Sequence, residues 1–251
     1  MSSLSAVSVL DSDPDLAEGI RPEELALARE HAIARVARYP KGPWAVARDA
    51  FDSSGSLGLL VIEGLLVRKV TVGQRTCAEL LGPGDMTQPW LQIGPDSSVG
   101  TEVNWLVAQP LQVAVLDRGF VARVARWPEI SAAVARRVMT RVHWLSFHLA
   151  VCHLRRVDDR LLPVLWHFAD RWGRVTPRGV EIPVPLTHSL LALVVGAQRP
   201  SVTLAVRTLT AAGWLEPRPR SRWLLHGEPP VELRRLHEQA AGHERAVDDE
   251  A

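Results

Sequence analysis

The sequence predicts an α+β chain in three parts: a small β-barrel, a long helix, and a helix pair followed by a short hairpin. Three observations carry this. Between Trp44 and Leu116 the apolar runs are short and are punctuated by Gly and Pro, the texture of a small barrel or sandwich. From Glu129 to Val157 neither Gly nor Pro occurs. From Leu186 to Gly213 two helical periods flank Gly196.

Residues 1–20, rich in Ser, Asp and Ala without periodicity, are expected to be a disordered tail. Pro22 opens an amphipathic stretch in which Leu25, Ala28, Ile33, Val36 and Ala37 follow helical spacing. Residues 21–126 then form the barrel domain with flanking helices. Its strands are expected at 59–62, 65–67, 70–72, 78–81, 105–107 and 111–116. Turns are expected at Gly64, Gly73, Gly82–Asp85, Gly94–Asp96 and Gln109–Pro110.

Residues 127–157 are expected to be one helix. Ile130, Val134, Val138, Val142, Leu145, Leu149 and Cys152 recur at spacings of four and three, the seam of a helix that pairs with another. A helix of this length outruns a small barrel, so a symmetric dimer is the simplest partner; burial within one chain is the alternative. Residues 158–228 form the last domain, and 229–251 a C-terminal helix or tail. Asp158 and Asp159 are expected to cap a helix that Gly173 ends, with Pro163 in or near its first turn. Residues 180–186 then read as an edge strand tolerant of proline.

In 186–213 Thr187 suits the cap of a first short helix, Gly196 the turn, and Gln198 the cap of a second helix beginning Arg199–Pro200. Val202, Ala205, Val206 and Leu209 fall on one face. Ser201, Thr203, Leu204 and Arg207 fall on the other, near the start of the helix. That is the layout of a recognition helix, anchored behind and offering donors in front. Two short strands around Arg218, Arg220 and Arg222 then read as a basic wing, which completes a winged helix-turn-helix. Charge agrees: His153 to His226 holds eleven arginines, no lysine and five acidic residues, while the whole chain is only +1. Base reading falls to Arg199, Ser201 and Thr203, and phosphate contact to Arg207 and the wing arginines.

The order barrel, long helix, winged helix-turn-helix resembles the cyclic-AMP receptor and fumarate–nitrate regulator (Crp/Fnr) family. The resemblance rests on Val157–Leu162, Gly173–Thr176, the Leu186–Thr187–His188 run, Gly196–Val202 and Gly213–Leu215. It is looser around Gly64 and Leu80–Asp85. It implies a jelly-roll barrel like cyclic-nucleotide-binding domains, a homodimer and binding to double-stranded DNA. With no signal peptide or membrane-spanning window in the sequence, a cytoplasmic location is expected. RNA polymerase or another regulatory protein is a further candidate partner. The matched positions place Arg199 as the first-turn arginine and Pro200 and Leu204 as neighbouring contacts. Leu204 cannot hydrogen-bond a base edge but can touch a thymine methyl.

Cyclic AMP is not the expected effector. The family's Gly–Glu pair is missing after Gly82–Asp85, and Thr101–Glu102 stands where an Arg–Ser or Arg–Thr pair would hold the phosphate. No arginine occurs between Arg75 and Arg118. Trp90, Glu102 and Trp105 are candidates for a different effector pocket, or the tryptophans are core residues. No cofactor is expected. Cys77 lacks a nearby histidine for haem, and His148 with Cys152 is a weak pair, so no metal site is assigned. No nucleophile elbow or phosphate loop points to an enzyme, and no window is apolar enough to span a membrane. The alternative function is a ligand- or protein-binding regulatory module whose winged domain serves as a protein interface.

Overall fold

The computed structural model of the protein describes residues 5–45, 55–91 and 98–229. It divides into two compact units, Met1–Phe147 and His148–Ala251.

Within the described residues, from residue 5 on, the expected disordered tail is structured: Ala6–Ser8 forms strand β1, Val9–Ser12 a turn of helix α1 and Pro14–Ala17 a 3-10 turn. Val9, Leu10 and Leu16 are fully buried, and the Ser8 hydroxyl accepts from the Asp11 amide. These apolar residues are too few for a periodic signal, and tertiary burial orders them. Helix α2 (Pro22–His31) forms as expected but stops sooner. Ile33, Val36 and Ala37 lie on strand β2 (Ile33–Tyr39), antiparallel to the strand that carries Leu111–Val115. The β-branched pair Ile33 and Val36 suits a strand, and ladder pairing overrides a chance helical spacing.

Strands β3 (Gly42–Pro43), β4 (Gly58–Val72), β5 (Arg75–Leu81), β6 (Met86–Thr87) and β7 (Thr101–Leu116) complete an antiparallel sheet. Its path runs β1-β2-β7-β4-β5, with β3 on β7 and β6 on β4. The end strands β1 and β5 do not pair with each other, so the expected barrel is not closed. Two expected turns are not turns. Gly64 lies inside β4 and Gln109–Pro110 inside β7, where the register between the strands shifts. Gly64 has φ +97, and a Cβ there would lie 2.2 Å from the Pro110 carbonyl oxygen. Glycine is needed for this close approach, not for a reversal of the chain. The expected turn at Gly94–Asp96 lies outside the described residues.

Both faces of the sheet are buried, as strand alternation requires. Leu59, Val61, Val113 and Val115 join Trp44, Leu66 and Leu81 on one side. Leu60, Ala114 and Leu116 face the helical side with Leu10, Phe120 and Trp127. Asp117 caps helix α3 (Arg118–Val124) through the Phe120 amide at 2.8 Å.

Helix α4 (Pro128–Cys152) follows. Its expected seam divides in three. Ile130 and Val134 belong to the helical-side core and are 0% and 3% exposed, so they are not available to a partner. Val138, Val142, Leu145 and Leu149 are 44%, 47%, 40% and 65% exposed. Cys152 is half-buried, its Sγ 4.0 Å from the Val194 carbonyl oxygen inside the second unit.

In the second unit, helix α5 (Val157–Trp172) buries Leu161, Val164, Leu165 and Phe168. Arg156, not Asp158 or Asp159, occupies its N-cap, and the two aspartates lie in the first turn. There they meet the helix dipole, and Arg156 holds Asp158 at 2.7 and 3.1 Å. That ion pair keeps the Asp158 carboxyl below its ordinary pKa. Pro163 sits in the helix interior rather than its first turn. A four-stranded antiparallel sheet runs β10-β11-β9-β8. Its strands are β8 (Arg174–Thr176), β9 (Gly179–Ile182), β10 (Leu215–Arg218) and β11 (Arg222–Leu225). Strand β9 is therefore internal rather than an edge, and it ends before Pro183, which could not donate to the ladder.

Candidate nucleic-acid interface

Two helices build the site. Thr187 caps α6 (His188–Val194), its hydroxyl accepting from the Leu190 amide at 3.2 Å. Gly196, at φ +64, makes the turn. Helix α7 (Arg199–Ala211) then starts with Pro200 in its first turn. The chain bends by 102° between the two helices, within the range of about 90–120° expected of a helix-turn-helix. Gln198 holds the N-cap position of α7 without a capping bond from its side chain.

Helix α7 is fixed from behind. Val202, Ala205, Val206 and Leu209 are buried. Arg160 on α5 donates to the Val195 and Gly196 carbonyls at 3.4 Å each and to the Leu154 carbonyl at 2.5 Å. A guanidinium at the end of α6 thus satisfies carbonyls that the helix leaves unpaired. On the open side Arg199, Pro200, Ser201, Leu204 and Arg207 are exposed, Leu204 at 65%. Thr203 departs from this group. Its hydroxyl donates to the Arg199 carbonyl at 3.1 Å and lies 2.9 Å from His188 Nδ1, so its proton is already used within the fold.

The hairpin beyond α7 places its arginines unequally. Arg218 pairs with Glu216 at 3.2 Å and Arg222 with Glu181 at 3.0 Å. Arg220 is exposed at the tip, without an ion pair among the described residues. It holds a left-handed conformation, φ 61 and ψ 36, followed by Ser221 at φ 56. Glu216 lies two residues before Arg218 on the same strand and also meets Arg178 at 2.8 Å, whereas the pairing of Arg222 with Glu181 comes from the register of β11 on β9.

Comparison with known proteins bears on this region. Residues 159–228 match the model of the Crp-like helix-turn-helix domain. This segment is a Crp-like helix-turn-helix domain. The whole chain resembles Crp/Fnr regulators. It is 24% identical over 204 residues to the CRP-like cAMP-activated global transcriptional regulator of Mycobacterium tuberculosis, covering 79% of this chain and 86% of that one. Among solved structures, a CooA variant from Carboxydothermus hydrogenoformans superposes with a TM-score of 0.58 at 17% identity, covering 89% of this chain and 93% of that one. FixK2 from Bradyrhizobium japonicum gives 0.58 at 15% identity over 82% and 96%. These likenesses are of fold.

The candidate effector residues are brought together only in part. A cavity of about 300 Å³ in the first unit is lined by Leu57, Arg68, Met86, Gln88, Trp105 and Arg141 among others. Trp105 therefore lines it. Trp90 is not among its lining residues, although both tryptophans pack against the core side that holds Trp44. Glu102 is exposed on β7 and accepts from Asn104 at 2.9 Å. The two cavity arginines escape a reading of the sequence because they come from β4 and α4, outside the stretch where spacing would seek a phosphate ligand. Both face Glu79: Arg141 at 2.6 and 2.8 Å, and Arg68 at 3.6 Å. Arg141 also donates to the Met86 carbonyl at 3.1 Å. Among the described residues, no group of three or more His, Cys, Asp or Glu could hold a metal ion, and no single helix is long and apolar enough to cross a membrane.

Proposed function

We propose that this chain is a sequence-selective DNA-binding transcription regulator that acts in the cytoplasm as a homodimer and does not respond to cyclic AMP in the usual way. The carrying observation is helix α7. Its back is buried, while Arg199, Ser201 and Leu204 stand free on its first turns. An Arg fork there suits a guanine edge, and Leu204 a thymine methyl. Arg207 and Arg220 are left for phosphates. Residues 158–228 are the winged DNA-binding domain in this reading, with the β10–β11 hairpin as the wing.

The dimer rests on Val138, Val142, Leu145 and Leu149. Large apolar side chains at heptad spacing and 40–65% exposure favour a partner helix of the same kind. Residues 127–157 are the dimerisation segment in this reading, reduced to its exposed positions. Against cyclic AMP stands the state of the cavity arginines. Both face Glu79, so a cyclic phosphate would have to displace an internal carboxylate.

Selection of duplexes from a random pool by the purified chain, followed by titration against salt, tests the reading. An enriched, near-palindromic sequence whose affinity falls steeply with salt is the expected result. Absence of any enrichment at low salt refutes it. Calorimetry with cyclic AMP tests the effector reading, and tight binding refutes it.

A further inference from the structure

We infer that His188 is a positioning residue for base reading, acting through Thr203 to hold the first turn of α7 and the arginine it carries. This rests on the DNA-binding reading above and reassigns Thr203, which sequence position suggested as a base reader.

The Arg199 carbonyl can only accept, so the Thr203 hydroxyl proton must point at it across 3.1 Å. The Thr203 oxygen is then left as an acceptor. For the 2.9 Å contact with His188 Nδ1 to be a hydrogen bond as well, Nδ1 must carry the proton. The order of donation is therefore His188 to Thr203 to the Arg199 backbone. The first turn of a helix has free amides and no preceding turn to hold it, and here a side-chain relay supplies the hold.

His188 is itself fixed from the sheet. Its ring stacks on Trp223 with centroids 5.7 Å apart and planes inclined by 22°. Trp223 in turn donates from Nε1 to the Leu186 carbonyl at 2.8 Å. The relay thus runs from strand β11 to the residue placed to read a base. Burial and then the nearby Arg199 charge push the His188 pKa below its ordinary value, so the ring stays neutral at pH 7.

The test uses full-length protein and a duplex enriched by the wild type from a random pool. Arg199→Ala first identifies the base pair that Arg199 reads. Discrimination at that pair should fall about fivefold in His188→Ala and in Thr203→Val, with the salt slope unchanged. The double variant should be no worse than either single one. An Asn amide nitrogen can occupy the Nδ1 position, whereas a Gln amide reaches the Nε2 position. His188→Asn should therefore retain discrimination and His188→Gln should lose it. Thr203→Ser should behave as wild type, and His188→Asn against His188→Gln decides the matter if His188→Ala does not fold. Wild-type discrimination in every variant overturns the inference, as does His188→Asn as damaged as His188→Gln. Failure of the wild type to enrich any duplex overturns the DNA-binding reading itself.

Discussion

Replacing Arg220 with glycine should move stability and DNA affinity in opposite directions. Arg220 sits at φ 61 and ψ 36, a region that costs a side-chain-bearing residue about 1–2 kcal/mol. Glycine removes that cost but loses about 0.5–1 kcal/mol through the extra freedom of its unfolded chain. The net gain is about 0.5 kcal/mol, with no ion pair forfeited among the described residues. It should read as a higher urea midpoint at unchanged slope. On DNA the same change leaves one phosphate per protomer without its guanidinium. The plot of log affinity against log salt should flatten by about 0.9 for each phosphate no longer neutralised, which at 0.1 M salt is roughly a tenfold weakening per half-site. Midpoints come from circular dichroism and affinities from fluorescence anisotropy at four or more salt concentrations. An unchanged salt slope refutes the placement of Arg220 on phosphate. A lower urea midpoint refutes the account of its backbone.

Val142→Asp should convert the proposed dimer to a monomer in light scattering while each chain keeps its folded circular dichroism spectrum, because Val142 is 47% exposed; a variant that stays dimeric refutes the seam. Gly64→Ala should destabilise the first unit by about 3 kcal/mol or more, since it combines positive φ with a Cβ 2.2 Å from a backbone oxygen; a wild-type urea midpoint would contradict the close approach. His167 is 3% exposed, and burial, followed by the Arg171 and His148 charges, pushes its pKa down to about 3. The unfolded chain therefore takes up this proton first, so the contribution is complete above pH 6.5 and is lost as pH falls towards 3. About 2 kcal/mol should go between pH 7 and 5. His167→Phe should remove that part of the slope, and an unaltered pH profile would contradict the assignment.

What the sequence displayed was local. Helix α7, its buried face and Gly196 could be read because their determinants lie within four residues of one another. Thr187 as a cap could be read for the same reason. Long-range pairing hid the rest. Ile33 and Val36 carried a helical spacing that pairing with β7 overrode. Gly64 and Pro110 looked like two turns because each breaks a local pattern; only their juxtaposition shows one bulge. Arg68 and Arg141 are 73 positions apart and meet at Glu79 through strand register and helix packing. Thr203 lies on α7 where its spacing puts it, but the partner of its hydroxyl, His188, belongs to the preceding helix and leaves no trace in the spacing of α7.

Arg160 limits how this domain can be divided. Its one side chain fastens the turn between α6 and α7 to the segment before α5. A graft of the two helices alone would leave the Val195 and Gly196 carbonyls without that donor. The smallest portable cassette therefore starts ahead of residue 160, and the stretch matched to the helix-turn-helix model begins at residue 159. A cut between α5 and α6 would separate the helix pair from its fastener.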